Sequence, residues 1–370
     1  MSNRVEKKIK EPFIRIEKRA DLSSKVKWLL YTSAFFTAIV VGGIFLLAVG
    51  VNPLKAYGKI VEGAFRSKMA VEATIKLAVP LLISSLGITL AFKMKFWNIG
   101  AEGQIIMGGI FSTYFALFHA DWPHFVLMTV MLLAGILGGG LWAVIPAWFK
   151  TKYGTNETLF TLMLNYIALY LIKYLTEGPW KDPEASGFPK IASFEANARL
   201  DKIFNVHAGW LIGLLLVLAV YAYLKYTKQG FEISIVGESQ NTARYAGMNV
   251  KGIVVRTLFL SGAICGIAGM CQVSGAAFTL SEGVAGGVGF TAIIVAWLAR
   301  LNPFIILVIT AGFSILEKGC SVMQSTFGIS TAVSSILQGI ILFVILAFDF
   351  FSSYKLVIKK QKKGGAKNDY

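Results

Sequence analysis

The chain has 370 residues, 55% of them hydrophobic and 15% charged, with a mean hydropathy of +0.64. A soluble domain carries about 25% charged residues, so this composition excludes an ordinary soluble fold and points to a bilayer. The formal charge of +16 reads as membrane orientation rather than nucleic-acid binding, because Lys and Arg accumulate in cytoplasmic loops.

Residues 1–27 form a charged leader in which Glu6, Lys7, Lys8 and Glu17, Lys18, Arg19 alternate in sign. It is expected to be a solvated arm on anionic headgroups, helical if ordered. Residues 28–51 then run for 24 positions without a charge, enough at ~1.5 Å per residue to cross a ~30 Å hydrocarbon core. This run is too long for a signal-peptide core and no small-residue cleavage site follows it, so it is expected to stay as an anchor. Similar runs recur at 71–92, 103–119, 124–149, 157–176, 209–226, 257–277, 288–299, 304–323 and 331–350. The fold class is therefore all-α, a polytopic membrane protein of about ten transmembrane helices. With the N-terminus inside, 25 Lys and Arg fall on the cytoplasmic side and 8 on the other, so both termini are expected to be cytoplasmic. The domains are a basic leader, 1–27, a transmembrane body, 28–354, with a cytoplasmic segment at 228–256, and a basic tail, 355–370. Gly364 and Gly365 mark disorder in that tail.

Several segments interrupt the apolar pattern. Asn98-Ile99-Gly100-Ala101-Glu102-Gly103-Gln104 sets two glycines, a carboxylate and two amides at a membrane boundary. The glycines permit a tight turn or close backbone approach, and Asn98, Glu102 and Gln104 can satisfy exposed N–H groups. The same residues are candidates for a polar element on a solute path. In Gly154-Thr155-Asn156-Glu157-Thr158, Asn156 or Thr155 suits a helix N-cap and Glu157 the first turn. Asn165 is an amide in mid-span and needs a partner there. The outer loop 177–208, with Pro179, Pro183, Gly187 and Pro189, is expected to be irregular. Residues 238–246 read as a short polar helix closed by Gly247, either a solvated connector or a docking helix for a cytoplasmic partner. Small residues in 261–269 favour close helix packing. Glu282 and Gly283, Gly286, Gly287 and Gly289 are too glycine-rich for an ordinary helix and suit a re-entrant or broken segment lining a cavity.

Other residues have plainer readings. Trp28, Trp122, Trp148, Trp180 and Trp210 lie near span ends, as interfacial anchors do. Cys265, Cys271 and Cys320 read as small buried residues without a disulfide framework. His119, His124 and His207 lack metal-ligand spacing. Residues 153–172 and 327–346 each begin with an aromatic-Gly pair and a polar run, followed by an apolar span carrying one amide, Asn165 or Gln338. In the expected topology they run in opposite directions, as in an inverted repeat. There is no Walker A motif, no HExxH, no CxxC and no GxSxG, so neither a cofactor site nor an enzyme is expected.

Five stretches carry a family resemblance: FWNIGAEGQ (96–104), GTNETLFTLMLNYIA (154–168), VGESQNTARYAGMNV (236–250), SGAICGIAGMCQVSG (261–275) and GVGFTAIIVAWLARLNP (287–303). In this order they resemble ABC importer permeases of the bacterial simple-sugar and nucleoside branch, related to the branched-chain amino acid permeases. The resemblance implies a non-catalytic subunit of the inner membrane, part of a translocation pathway for a nucleoside or simple sugar. It implies three partners: a cytoplasmic ATPase, a sister permease and an extracytoplasmic solute-binding protein. It also implies that residues 237–248 form the coupling helix, with Gly237, Glu238, Asn241, Arg244, Tyr245 and Gly247 on it. Thr242 stands where the family usually has Ala, and Glu238 is more acidic than expected. The pathway candidates are Asn98, Glu102, Gln104, Asn156, Glu157, Asn165 and Glu282. The competing reading is an ion-coupled secondary transporter, which needs an essential mid-span carboxylate. The mid-span charges are Lys76 and the Glu317-Lys318 pair.

Overall fold

A computed structural model describes residues 14–18 and 23–358, and most of the leader and tail, with Gly364 and Gly365, lie outside them. In chain order the elements are β1 (Ile14–Lys18), α1 (Ser24–Ala48), α2 (Pro53–Phe65), α3 (Lys68–Lys93), α4 (Ala101–Phe118), α5 (His124–Tyr153), α6 (Glu157–Glu177), β2 (Lys202–Ile203), β3 (Val206–His207) and α7 (Gly209–Tyr226). There follow α8 (Lys228–Glu238), α9 (Gln240–Tyr245), α10 (Val250–Cys271), a π-helical turn (Gln272–Ala277), α11 (Val288–Leu298), α12 (Pro303–Phe327), α13 (Thr331–Ser353) and β4 (Tyr354–Ile358).

A helix coincides with every apolar run. Seven of them are long and apolar enough to cross a bilayer unaided, among the described residues. One expectation is corrected. The run at 288–299 is not a full span, because α11 has 11 residues and is about 16 Å long. Its apolar composition reports burial, while the glycine-rich segment before it stops the helix from extending. The loop at 52–70 also holds an unforeseen helix, α2.

The chain divides into two compact units, Met1–Gly58 with Met323–Tyr370, and Lys59–Val322. In the first unit α1 packs along α13. Ala34, Ala38, Leu46 and Leu337 are buried, and Tyr57 Oη donates to the Ile39 carbonyl at 2.7 Å. Phe35, Phe36, Ile44 and Phe343 stay exposed, as lipid-facing side chains do. β1 and β4 pair antiparallel with Glu17 opposite Lys355. The leader and tail are therefore not solvated arms throughout, because each supplies one strand. The side chain of Trp28 lies outside the described residues, and the helix that holds it begins at Ser24.

In the second unit α3 and α10 are central, each with most of its apolar length buried. Glycine permits this. Gly108, Gly135 and Gly139 meet Gly266, and Gly139 meets Gly262, with backbone against backbone. A methyl at Gly108, Gly139, Gly262 or Gly266 would overlap a main-chain atom, so α4, α5 and α10 can approach only as glycine helices. Ser67 caps α3 by accepting from the Ala70 N–H at 3.2 Å. The region between α6 and α7 is largely irregular, as expected. It contains one short hairpin, β2–β3, whose turn residues Phe204 and Asn205 have φ of 54° and 64°. Cys265, Cys271 and Cys320 are all buried.

Candidate functional site

The polar segment at 98–104 forms a buried knot at the start of α4. Asn98 and Gln104 face each other. Asn98 Oδ1 accepts from Gln104 Nε2 at 3.1 Å and from the Gly100 N–H at 3.0 Å. Asn98 Nδ2 donates to Gln104 Oε1 at 3.3 Å and to Ser261 Oγ of α10 at 3.4 Å. From α6, Asn165 accepts the Gly103 N–H and donates to the Ile99 carbonyl, both at 2.9 Å. Thr161 Oγ1 accepts the Ile99 N–H at 3.2 Å. The turn between α3 and α4 cannot hydrogen-bond to water in this position, so side-chain amides replace the water. A methyl at Gly103 would sit 2.9 Å from Asn165 Oδ1, which explains the second glycine.

Glu102 has a different role. Its carboxylate accepts the Gly287 N–H at 2.7 Å and the Gly289 N–H at 2.8 Å. These amides open α11, and a helix N-terminus favours a negative group. The carboxylate therefore caps, through space, a helix 185 residues away.

Between α10 and α11 the backbone is broken. The π-helical turn ends at Phe278 with φ 54°, and residues 278–287 form bends and turns. Ser281, Glu282, Gly283 and Gly286 are exposed, while Val284 and Ala285 are buried. A glycine-rich interruption was legible in the sequence. Its attachment to Glu102 was not, since nothing local to either segment signals the other.

On the connector after α7, the expected helix at 238–246 is present as α9, starting two residues later at Gln240. The chain breaks at Ser239, whose Oγ accepts the Thr242 N–H at 3.2 Å and so caps α9. Gly237 and Glu238 thus belong to α8. Gly237 lies on the Lys93 carbonyl at the end of α3, where no side chain fits. The Arg256–Glu232 pair, 2.8 Å, ties α8 to α10. On α9 only Ala243 is buried, and Asn241, Thr242, Arg244 and Tyr245 are exposed, Tyr245 by 92%. Gly247 has φ 75°, as expected of the residue that ends this helix. Beneath α9 is a cavity of about 100 Å³ lined by Lys95, Lys150, Glu157, Gln240, Arg244 and Lys251, among others.

Asn156 caps α6 by accepting the Leu159 N–H at 3.2 Å. Glu157 pairs with Lys150 at 2.7 Å. The histidines divide. His124 bridges the Asn197 carbonyl and the Asp201 carboxylate at 2.9 and 3.1 Å. His207 is buried with neither ring nitrogen hydrogen-bonded. Burial, helped by repulsion from Lys76, lowers its pKa to about 4. Nothing in the spacing of His207 distinguishes it from the other two.

A bundle of apolar helices, crossed by a polar break and carrying a small exposed helix on one connector, is the build of a polytopic membrane protein. Comparison makes the assignment particular. The chain matches the branched-chain amino acid transport system permease component family over residues 70–346 and belongs to that family. It is an ABC-transporter permease and a multi-pass protein of the cell membrane. It is 31% identical to the glucose ABC transporter permease protein TsgB13 of Haloferax volcanii, over 91% of this chain and 92% of that one. It is 28% identical to the guanosine ABC transporter permease protein NupP of Bacillus subtilis, covering 90% and 96%. It is 27% identical to the nucleoside ABC transporter permease protein NupB of Lactococcus lactis, covering 84% and 88%.

Proposed function

We propose that this permease forms half of the translocation pathway of an ATP-driven importer for a nucleoside or simple sugar, with a sister permease as the other half. A separate cytoplasmic ATPase drives it and an extracytoplasmic solute-binding protein delivers the solute. The observation that carries this reading is α9, a six-residue helix too short to persist alone in water. It is held by one buried alanine and presents Arg244 and Tyr245 outward, on a chain with no nucleotide motif of its own. The segment 228–256 is then the coupling element between the basic leader and tail. Both ends of the transmembrane body lie in the cytoplasm, and the count of cationic loop residues supports that orientation.

Of the pathway candidates, Asn98, Gln104, Asn165 and Glu102 act by holding the break in shape, Asn156 and Glu157 by starting α6, and Glu282 by facing outward. The names of the relatives support both solute classes. Reconstitution with the neighbouring ATPase and binding protein in liposomes tests the reading. Guanosine or glucose is expected to stimulate ATP hydrolysis and to enter only with ATP. Uptake without the ATPase that collapses with an ion gradient would establish the secondary-transporter reading instead. Arg244→Glu with Tyr245→Ala is expected to cut ATPase co-purification at least about tenfold, the loss of roughly 1.4 kcal/mol of binding, while membrane insertion is unchanged.

A further inference from the structure

The apolar run of α4 predicts that it crosses the bilayer, which would put the broken segment at 279–287, packed beside it, at membrane depth. A methyl at Gly109, midway along α4, would touch Leu280 Cδ1 at 3.6 Å. Gly287 and Gly289 meet Glu102 in the first turn of the same helix. The 18 residues of α4 span about 27 Å, close to the thickness of the hydrocarbon core. Residues 280–287 therefore run beside the N-terminal half of α4 without forming a helix or a strand. Val284 and Ala285 turn into the protein, while Ser281, Glu282, Gly283 and Gly286 face outward. Among the described residues, the backbone N–H groups of Glu282, Gly283 and Gly286 make no hydrogen bond, and the Glu282 carboxylate has no partner.

Hydrocarbon cannot solvate such groups, and irregular backbone persists at this depth only against protein or a water-filled cavity. An exposed carboxylate adds a second requirement of the same kind. We infer that residues 281–286 are a water-facing wall of the solute path and that Glu282 accepts hydrogen bonds from a pair of adjacent hydroxyls on the passing solute. This deepens the proposed transport function and rests on it. The chemistry is selective. An ionised carboxylate only accepts, and its two oxygens can take two O–H donors side by side. Glucose and guanosine, named for two of the relatives, differ in almost everything except adjacent hydroxyls on a sugar ring.

The test uses the assembled complex in liposomes. Ser281→Cys is treated with a membrane-impermeant sulfonated thiosulfonate reagent, and the wild-type chain, whose three cysteines are buried, is the blank. Labelling is expected. Labelling by a bilayer-dissolved maleimide alone, or by neither reagent, would overturn the inference, since the wall would then face lipid or the sister chain. Glu282→Gln replaces an acceptor with a donor and is expected to lower ATP-driven uptake of guanosine and glucose about tenfold, the worth of one charge-assisted hydrogen bond. Glu282→Asp is expected to retain about a third or more, and solute-independent ATP hydrolysis is expected to persist in both. Wild-type uptake by Glu282→Gln would remove the role of the carboxylate. If the wild-type complex imports neither solute with ATP, the transport reading fails, while labelling at position 281 still decides whether the wall is wet.

Discussion

At the scale of single residues, the sharpest constraints are glycines and amides. A methyl at Gly266 would overlap the Gly135 carbonyl and crowd Gly139, both main chain, so no rotamer change relieves it. Gly266→Ala should therefore destabilise the protein by about 1–3 kcal/mol, while Gly312→Ala, which meets nothing within 4 Å, should be neutral or slightly stabilising. Thermal unfolding in detergent separates the two. Asn165→Leu would leave the Ile99 carbonyl and the Gly103 N–H without partners, at about 1–3 kcal/mol each. A lower melting temperature at unchanged expression would show it. His207 adds a pH term. Its folded pKa of about 4 lies below the ordinary value of 6.5, so as pH falls below about 6.5 the unfolded chain takes up a proton that the folded one refuses. Stability is therefore lost between pH 6.5 and 4, by at most about 3 kcal/mol. His207→Leu should flatten much of the loss in melting temperature between pH 7.5 and 5, and an equal loss in both proteins would count against this account. Asn98, Gln104 and Asn165 were conspicuous in the sequence as polar residues at or within spans. Their reciprocal bonding was not, because it joins α4, α6 and α10 across 163 residues of chain.

Helices were the easier part to read, because each apolar run reports its environment and each cap its boundary. Asn156 and Gly247 stand where the sequence indicates. What an apolar run does not report is length, since a half-helix buried in protein and a full span look alike in composition. That is why α11 was expected to cross. Its stability comes from elsewhere. Eleven residues are marginal as an isolated helix, and two of its leading amides are held by Glu102. Glu102→Ala is expected to speed amide hydrogen exchange across Val288–Leu298 by about tenfold or more, with α4 itself little changed, because charged hydrogen bonds contribute about 1.5–3 kcal/mol. Equal protection in the variant would mean that packing on α3 is sufficient. The split between α8 and α9 was hidden for a similar reason. Ser239 is a routine polar residue until its hydroxyl is seen to start a new helix.

For the whole molecule, the pairing of β1 with β4 sets the strand before α1 beside the strand after α13, so both flanks of the helical body are expected on one side of the membrane. Reporter enzymes active only in the cytoplasm should work when fused at either end, and one inactive end would refute the topology. The same pairing has a consequence for synthesis. The first helix, α1, finds its neighbour in the last, α13, and 282 residues separate the end of one from the start of the other. At about 5–20 residues per second, α1 waits roughly 15–60 s in the bilayer before its partner exists. Throughout that time it can be reached by proteases that survey unassembled helices. A chain ending after α12 would leave it permanently single, and pulse-chase measurements should find that product degraded faster than the full chain. The last helix to leave the ribosome would then decide how long the first survives.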